Sequence, residues 1–183
     1  MVRYIVLGRF QPFHFGHAAL VHAAAKRCSS EDELVIAIGS SQAGWEARNP
    51  WDVAERTEMI GDWCKANNVE ATIAGVEDIN DPPRWVEHAQ QHHGEGELVT
   101  SDDPTAELYE AANWTVHRVQ LDNRDQLEGW RVRQTIRMLS TVMDDDATRE
   151  VLKETVPKAV IDWLITNDAM FRCSTFETGV HAG

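Results

Sequence analysis

Two uninterrupted apolar runs flanking an alanine-rich stretch constrain this chain more than any other feature. Tyr4-Ile5-Val6-Leu7 and Glu33-Leu34-Val35-Ile36-Ala37-Ile38-Gly39 show no polar alternation, the pattern of strands covered on both faces. Between them, residues 17–28 are rich in alanine, with Leu20, Val21 and Ala24 at helical spacing. Strand, helix and strand in such quick succession make a βαβ unit, whose two strands run parallel.

The alternation continues downstream. A helix is expected over 52–66, with Asp52 as N-cap and Glu55 completing a capping box. Strands are expected near 70–74, 97–100 and 114–119, and helices near 83–93, 104–112 and 129–140. Asp144-Asp145-Asp146 reads as a solvated helix start rather than a metal site. A final helix is expected near 157–167, with Pro157 suited to its first turn. Residues 168–183 carry no periodicity and read as a loose tail. The pattern predicts one doubly wound α/β domain over residues 1–167.

Composition narrows the class. Apolar residues make up 43% of the 183, enough for a sizeable core and too many for a disordered chain. No apolar run reaches about 18 residues, so no transmembrane helix and no membrane partner are expected. The amino terminus enters a strand directly, without the length or cleavage site of a signal peptide. Cys28, Cys64 and Cys173 are far apart and lack CxxC spacing, which argues against a disulfide framework and for a reducing cytoplasm. Thirty Asp and Glu against seventeen Lys and Arg give a net charge of −13, the wrong sign for a general nucleic-acid binder. So much acid is either plain solubility or adaptation to a salt-rich cytoplasm. Having only four lysines against thirteen arginines favours the second. On such a surface any anion site must be built locally.

Ligands of a doubly wound sheet bind beyond the carboxyl ends of its strands. The first strand runs into Gly8-Arg9-Phe10-Gln11-Pro12-Phe13-His14-Phe15-Gly16-His17. This is neither GxGxxG nor a P-loop, lacking their glycine spacing and the lysine. It instead puts His14 and His17 around Gly16 at the mouth of the first helix. There glycine permits close approach, and free N–H groups favour an anion. With Arg9, the two imidazoles make a phosphate clamp of low net charge. A lone histidine in a turn is most simply a satisfied polar residue; the His-x-Gly-His tetrad after the first strand points to function. His88 and His92 fall at helical i, i+4 spacing without a convincing third ligand, so they read as solvated rather than metal-binding.

In this position the tetrad resembles the signature of the nucleotidylyltransferase superfamily. The longer string Gly-Arg-Phe-Gln-Pro-Phe-His-x-Gly-His is similar to that of the archaeal nicotinamide mononucleotide adenylyltransferases. Arg48-Asn49-Pro50, followed by Ala54-Glu55-Arg56 and Met59-Ile60, resembles that family's Arg-(Asn/Asp)-Pro…Ala-Gly-Glu-Arg segment, with Val53 where glycine is usual. Asp78-Ile79 and Trp85-Val86-x-His88 are similar to its nicotinamide-side segment. Arg124-Asp125 and Glu128-Gly129-x-x-Val132-Arg133 fall where its second phosphate signature belongs. The resemblance spans roughly residues 4 to 140.

It implies a Rossmann-like parallel sheet of the nucleotidylyltransferase type with C-terminal helices, and a homo-oligomer. The implied reaction is ATP plus nicotinamide mononucleotide giving NAD and pyrophosphate, with magnesium bridging the phosphates and largely keeping its waters. His14, His17 and Arg133 would be catalytic. Gly8, Arg9, Phe10, Gly16, Arg48, Gly129 and Val132 would bind the nucleotide, though Arg48 alone also reads as an exposed loop arginine. Asp78 and Trp85 would hold the acceptor, with Trp85 stacking on the nicotinamide ring.

Two departures stand out. The family's second signature usually reads Ser-(Ser/Gly)-Thr-x-x-Arg, whereas Glu128 and Trp130 replace the hydroxyl residues here. A lost hydroxyl hydrogen bond to a charged phosphate costs about 1.5–3 kcal/mol. Asp102-Asp103-Pro104 also adds negative charge where the family often has Asn-Pro. These positions leave two other readings open: a diverged nucleotidylyltransferase with another phosphorylated acceptor, or a nucleotide-binding sensor or partner subunit without turnover.

Overall fold

In a computed structural model, the structure describes residues 1–121 and 127–176. Five strands, β1 (Arg3–Gly8), β2 (Glu33–Ile38), β3 (Thr72–Gly75), β4 (Glu97–Thr100) and β5 (Thr115–Arg118), form one sheet. Every pairing is parallel, in the order β3-β2-β1-β4-β5. Chain order reverses direction across the sheet between β1 and β4. A crevice opens beyond the strand ends at such a switch point.

Side-chain alternation explains why both faces are covered. Ile5 and Val6 are each 0% exposed, yet they belong to different apolar clusters. Val6, Leu34, Ile36, Ile38 and Val99 join Leu20 and Val21 of α1 (Phe15–Ala25) and Ile60 and Trp63 of α2 (Val53–Ala66). Ile5, Val35, Ala37 and Leu98 join Val86 and Ala89 of α3 (Trp85–His93) and Tyr109 of α4 (Asp103–Ala111). Each fully buried aliphatic side chain contributes about 1.5–3 kcal/mol, so unbroken strand hydrophobicity is what this double layer requires.

The capping box expected at α2 is present. Asp52 accepts from the Glu55 backbone N–H, and Glu55 accepts from that of Asp52. Helices α5 (Gly129–Leu139), α6 (Asp145–Leu152), α7 (Lys158–Thr166) and α8 (Arg172–Thr175) follow among the described residues. Asp144 caps α6 by accepting from the N–H groups of Asp146 and Ala147, as a solvated helix start should. Pro157 stands one residue earlier than expected, at the N-cap of α7.

The first part of the region read as a loose tail is packed instead. Ala169 is fully buried, its carbonyl accepts from the Trp51 indole N–H, and Cys173 is buried beside it in the main cluster. Arg172 pairs with Glu55 at 2.6 Å. The remainder, 177–183, lies outside the described residues.

Candidate active site

A cleft of about 600 Å³ opens over the switch point. Its floor comes from the residues that leave β1, β2 and β4: Gly8 and Arg9, Gly39 and Ser40, and Thr100 to Asp102. Its walls are the starts of α1 and α5, with Trp85 of α3 and Asp78 facing them.

The two histidines cap their own helix. The Gly16 backbone N–H donates to Nδ1 of His14, at 3.2 Å, and the His14 backbone N–H donates to Nδ1 of His17, at 3.3 Å. The rings stack with centroids 3.7 Å apart. A neutral imidazole has one acceptor nitrogen and one N–H. Spending both Nδ1 atoms on backbone donors therefore leaves both Nε2–H groups as donors for a ligand. Burial lowers the pKa of His14 to about 4, with a further contribution from the Arg133 charge. Burial, with His14 adding to it, holds His17 well below the ordinary histidine range. Both rings are thus neutral donors at neutral pH. Glycine at position 16 suits this packing, since a Cβ there would lie 3.0 Å from the His14 ring and press on it.

Behind the cleft stands a residue whose role the sequence does not disclose. Arg56 is 0% exposed and donates all of its N–H groups to backbone carbonyls. Nη1 reaches the carbonyls of Arg9 and Gly39, Nη2 those of Ser40 and Ala43, and Nε that of Asp52. One guanidinium thereby fixes the β1 and β2 exit loops to each other. Burial lowers its pKa to about 10, which still leaves it charged at neutral pH. Gln11 adds a second tie, pairing its carboxamide with both the N–H and the carbonyl of Trp51.

Six arginines of this acidic chain, Arg3, Arg84, Arg118, Arg131, Arg149 and Arg172, have a carboxylate partner. Among the described residues, Arg27 and Arg56 donate to backbone carbonyls instead, and Arg9, Arg48 and Arg133 have no carboxylate partner. Arg133 donates to the Gln11 carbonyl at 2.8 Å. Burial lowers its pKa, and the like charges of Arg9 and Arg48 add to the effect. Arg9 in the cleft and Arg133, close enough to lower the His14 pKa, put unneutralised guanidinium charge beside two imidazole donors and make a local anion site.

Of the residues singled out from sequence, Gly8, Arg9, His14, Gly16, His17, Asp78, Trp85 and Gly129 line the cleft. Arg48 is exposed on the loop between β2 and α2, and Arg133 sits one turn into α5. Phe10 and Val132 differ from the expectation of nucleotide contact. Their side chains are 1% and 2% exposed and pack in the main core cluster. The Phe10 ring instead backs His17, edge to face at 4.7 Å. Arg124 and Asp125 lie outside the described residues. Ser40, Thr100, Ser101 and Thr105 also line the cleft without having been singled out. The rule that ligands sit beyond strand ends, applied to β2 and β4 as it was to β1, finds the first three. Among the described residues no cluster of three or more His, Cys, Asp or Glu could hold a metal; the His88 ring is bonded to the Glu77 carbonyl.

The departures are accommodated locally. Glu128 does not cap α5 with its side chain; its carboxylate accepts from the Trp130 indole N–H and lies 3.6 Å from Arg131. Asp102 is spent capping α4, accepting from both the N–H and the hydroxyl of Thr105. Asp103 pairs with Arg118.

The family model described as cytidylyltransferase-like matches residues 5–172. A curated nicotinamide-nucleotide adenylyltransferase of Methanosarcina mazei is 31% identical over 97% of this chain and 96% of its own. Those of Haloarcula marismortui and Halobacterium salinarum are each 32% identical, over 88% and 94% of this chain and 79% and 90% of theirs. Among solved structures, a bifunctional NMN adenylyltransferase/ADP ribose pyrophosphatase of Francisella tularensis, solved with AMP and a manganese ion, superposes with a TM-score of 0.63. At 17% identity that likeness shows the fold; it covers 92% of this chain and about half, 53%, of the other.

Proposed function

The chain belongs to the cytidylyltransferase-like family, and from that premise we propose that it transfers AMP from ATP to nicotinamide mononucleotide, forming NAD and releasing pyrophosphate. The observation that carries this reading is the pair of neutral Nε2–H donors at the mouth of α1, set among arginines with no carboxylate partner. Curated relatives of that activity, similar over nearly the whole chain, support the choice of reaction.

An oxygen of the acceptor's 5′-phosphate forms a bond to the α-phosphorus of ATP. The bond from that phosphorus to the α–β bridging oxygen breaks, and its electron pair leaves on pyrophosphate. The attacking phosphate carries a charge of about −1.5 to −2 at neutral pH, so no general base is required. What the protein must supply is positioning of two polyanions and stabilisation of charge on the leaving group. His14 and His17 donate to the ATP phosphates, with His17 best placed for charge developing in the transition state. Arg9, Arg48 and Arg133 hold the β- and γ-phosphates, and the backbone at Gly8, Gly16 and Gly129 allows close approach. Trp85 offers a face to the nicotinamide ring, and Asp78 a negative charge to its cationic nitrogen. Magnesium enters as part of the nucleotide substrate, held by phosphate oxygens and water. We place the protein in a salt-rich cytoplasm, as its charge and two halophilic relatives suggest.

The test is incubation of purified protein in high KCl with ATP, magnesium and nicotinamide mononucleotide. NAD formation is expected. Pyrophosphate release only with another phosphorylated acceptor, or tight ATP binding with no product, would overturn the reading.

A further inference from the structure

Trp130 is 46% exposed, yet it is held from more than one side. Its indole N–H donates to the Glu128 carboxylate, and the Arg131 guanidinium lies 4.7 Å from its ring centroid. The nitrogen edge and one face are therefore taken. The residue lines the cleft together with Leu121, Leu127 and Gly129, on the helix that packs in the main core cluster, whereas Trp85 starts the helix that packs on the other face of the sheet. An exposed indole costs solubility and contributes little packing, so fixing one at a cleft wall favours something flat lying against its remaining face.

Resting on the reading of the cleft as a nucleotide site, we propose that Trp130 is a specificity-determining residue that stacks the purine of the nucleoside triphosphate. The cleft has two aromatic walls of different electrostatic character. Trp85 and the Asp78 carboxylate both enter the cleft from the chain that follows β3, which suits a cationic heterocycle. Trp130 stands among leucines, with the Glu128 charge already engaged, which suits a neutral base. Affinity absent from hydroxyl contacts to the phosphates is thereby supplied at the base, and discrimination shifts towards ring size. Purine triphosphates bind in preference to pyrimidine triphosphates, because a larger π-face covers more of the indole.

The experiment measures Kd for ATP, CTP and inorganic tripolyphosphate with the wild type, W130A and W130F in high KCl, with thermal melting to confirm folding. Trp130 lies at the surface, so W130A should melt as the wild type does. W130A should weaken ATP binding about 5- to 150-fold, the range that base–aromatic stacking commands, while tripolyphosphate changes less than about twofold. W130F should recover most of the loss, and the preference for ATP over CTP should shrink in W130A. An equal loss for ATP and tripolyphosphate, or no loss at all, would overturn the proposal. Wild-type NAD formation, measured alongside, separates the two readings. NAD synthesis with W130A binding ATP normally sinks the stacking role alone, whereas Trp130-dependent ATP binding with no NAD sinks the reaction alone.

Discussion

Replacing Arg56 by lysine isolates the job of its guanidinium, because the charge stays and only the fork of donors is lost. Five backbone carbonyls accept from Arg56, and four of them belong to the loops leaving β1 and β2. A lysine ammonium has three donors on a single nitrogen, so at least two of those carbonyls lose their partner in a site that is 0% exposed. Each buried acceptor left unsatisfied costs about 1–3 kcal/mol, giving a loss of about 2–6 kcal/mol. In a chain of this length each kcal/mol moves Tm by about 2–4 °C, so the melting temperature should fall by at least about 4 °C. The loops in question carry Gly8, Arg9, Gly39 and Ser40 into the cleft, so KM for ATP should rise more than kcat falls. Thermal melting in high KCl and steady-state kinetics read the two effects separately. A Tm within about 2 °C of wild type, with unchanged KM, would refute the reasoning, since the carbonyls would then have other partners.

Removing one donor aimed at developing charge costs about 10²–10³-fold in turnover, so His17→Ala should lower kcat by that factor, while the lost cap at the start of α1 lowers Tm by about 1–8 °C; near-normal turnover would remove His17 from the catalytic set. Burial depresses the folded pKa of His14 from 6.5 to about 4, so between those values the unfolded chain binds more protons than the folded one. Stability of the unliganded protein should therefore be full above pH 6.5 and fall as pH drops towards 4. His14→Gln should flatten that limb in pH-dependent urea melts, and an unchanged limb would assign the acid lability elsewhere. With a net charge of −13, self-repulsion is screened only when the Debye length is short, about 3 Å at 1 M salt. Tm should thus rise from low salt to molar KCl, and a salt-independent Tm would count against the halophilic reading.

How legible the chain was in its sequence depended on the range of the interactions involved. The strands and their intervening helices were visible because continuous apolar runs and 3.6-residue periodicity are local signals. The Asp52–Glu55 cap spans three residues and was equally readable. Helix α8 was not, because four residues carry no period, and its packing depends on Glu55, 117 positions earlier in the chain. Arg56 was visible only as a motif residue, since its loop carbonyl partners lie 13 to 47 positions away. Phe10 illustrates the reverse error. The family resemblance implies nucleotide contact, but the residue's left-handed backbone (φ 52°) carries the ring into the core behind His17.

The acidic composition raises a sharper question: how an anion site survives on a surface of net charge −13. The carboxylates around the cleft are individually consumed. Asp52 and Glu55 cap α2, with Glu55 also paired to Arg172; Asp102 caps α4; Asp103 and Glu110 pair with Arg118; and Glu128 is held by Trp130 and Arg131. Among the described carboxylates lining the cleft, Asp78 is the most lightly held, accepting from the side-chain amide of Gln42 at 3.4 Å and feeling the Arg56 charge at longer range. The cleft is therefore polarised, with cations and N–H donors at the starts of α1 and α5 and a lightly held carboxylate, Asp78, past the end of the edge strand β3. A dinucleotide with phosphates in its middle and a positively charged ring at one end fits that polarity in a single orientation. The order of charges along the cleft, rather than the overall balance, decides which way the acceptor enters.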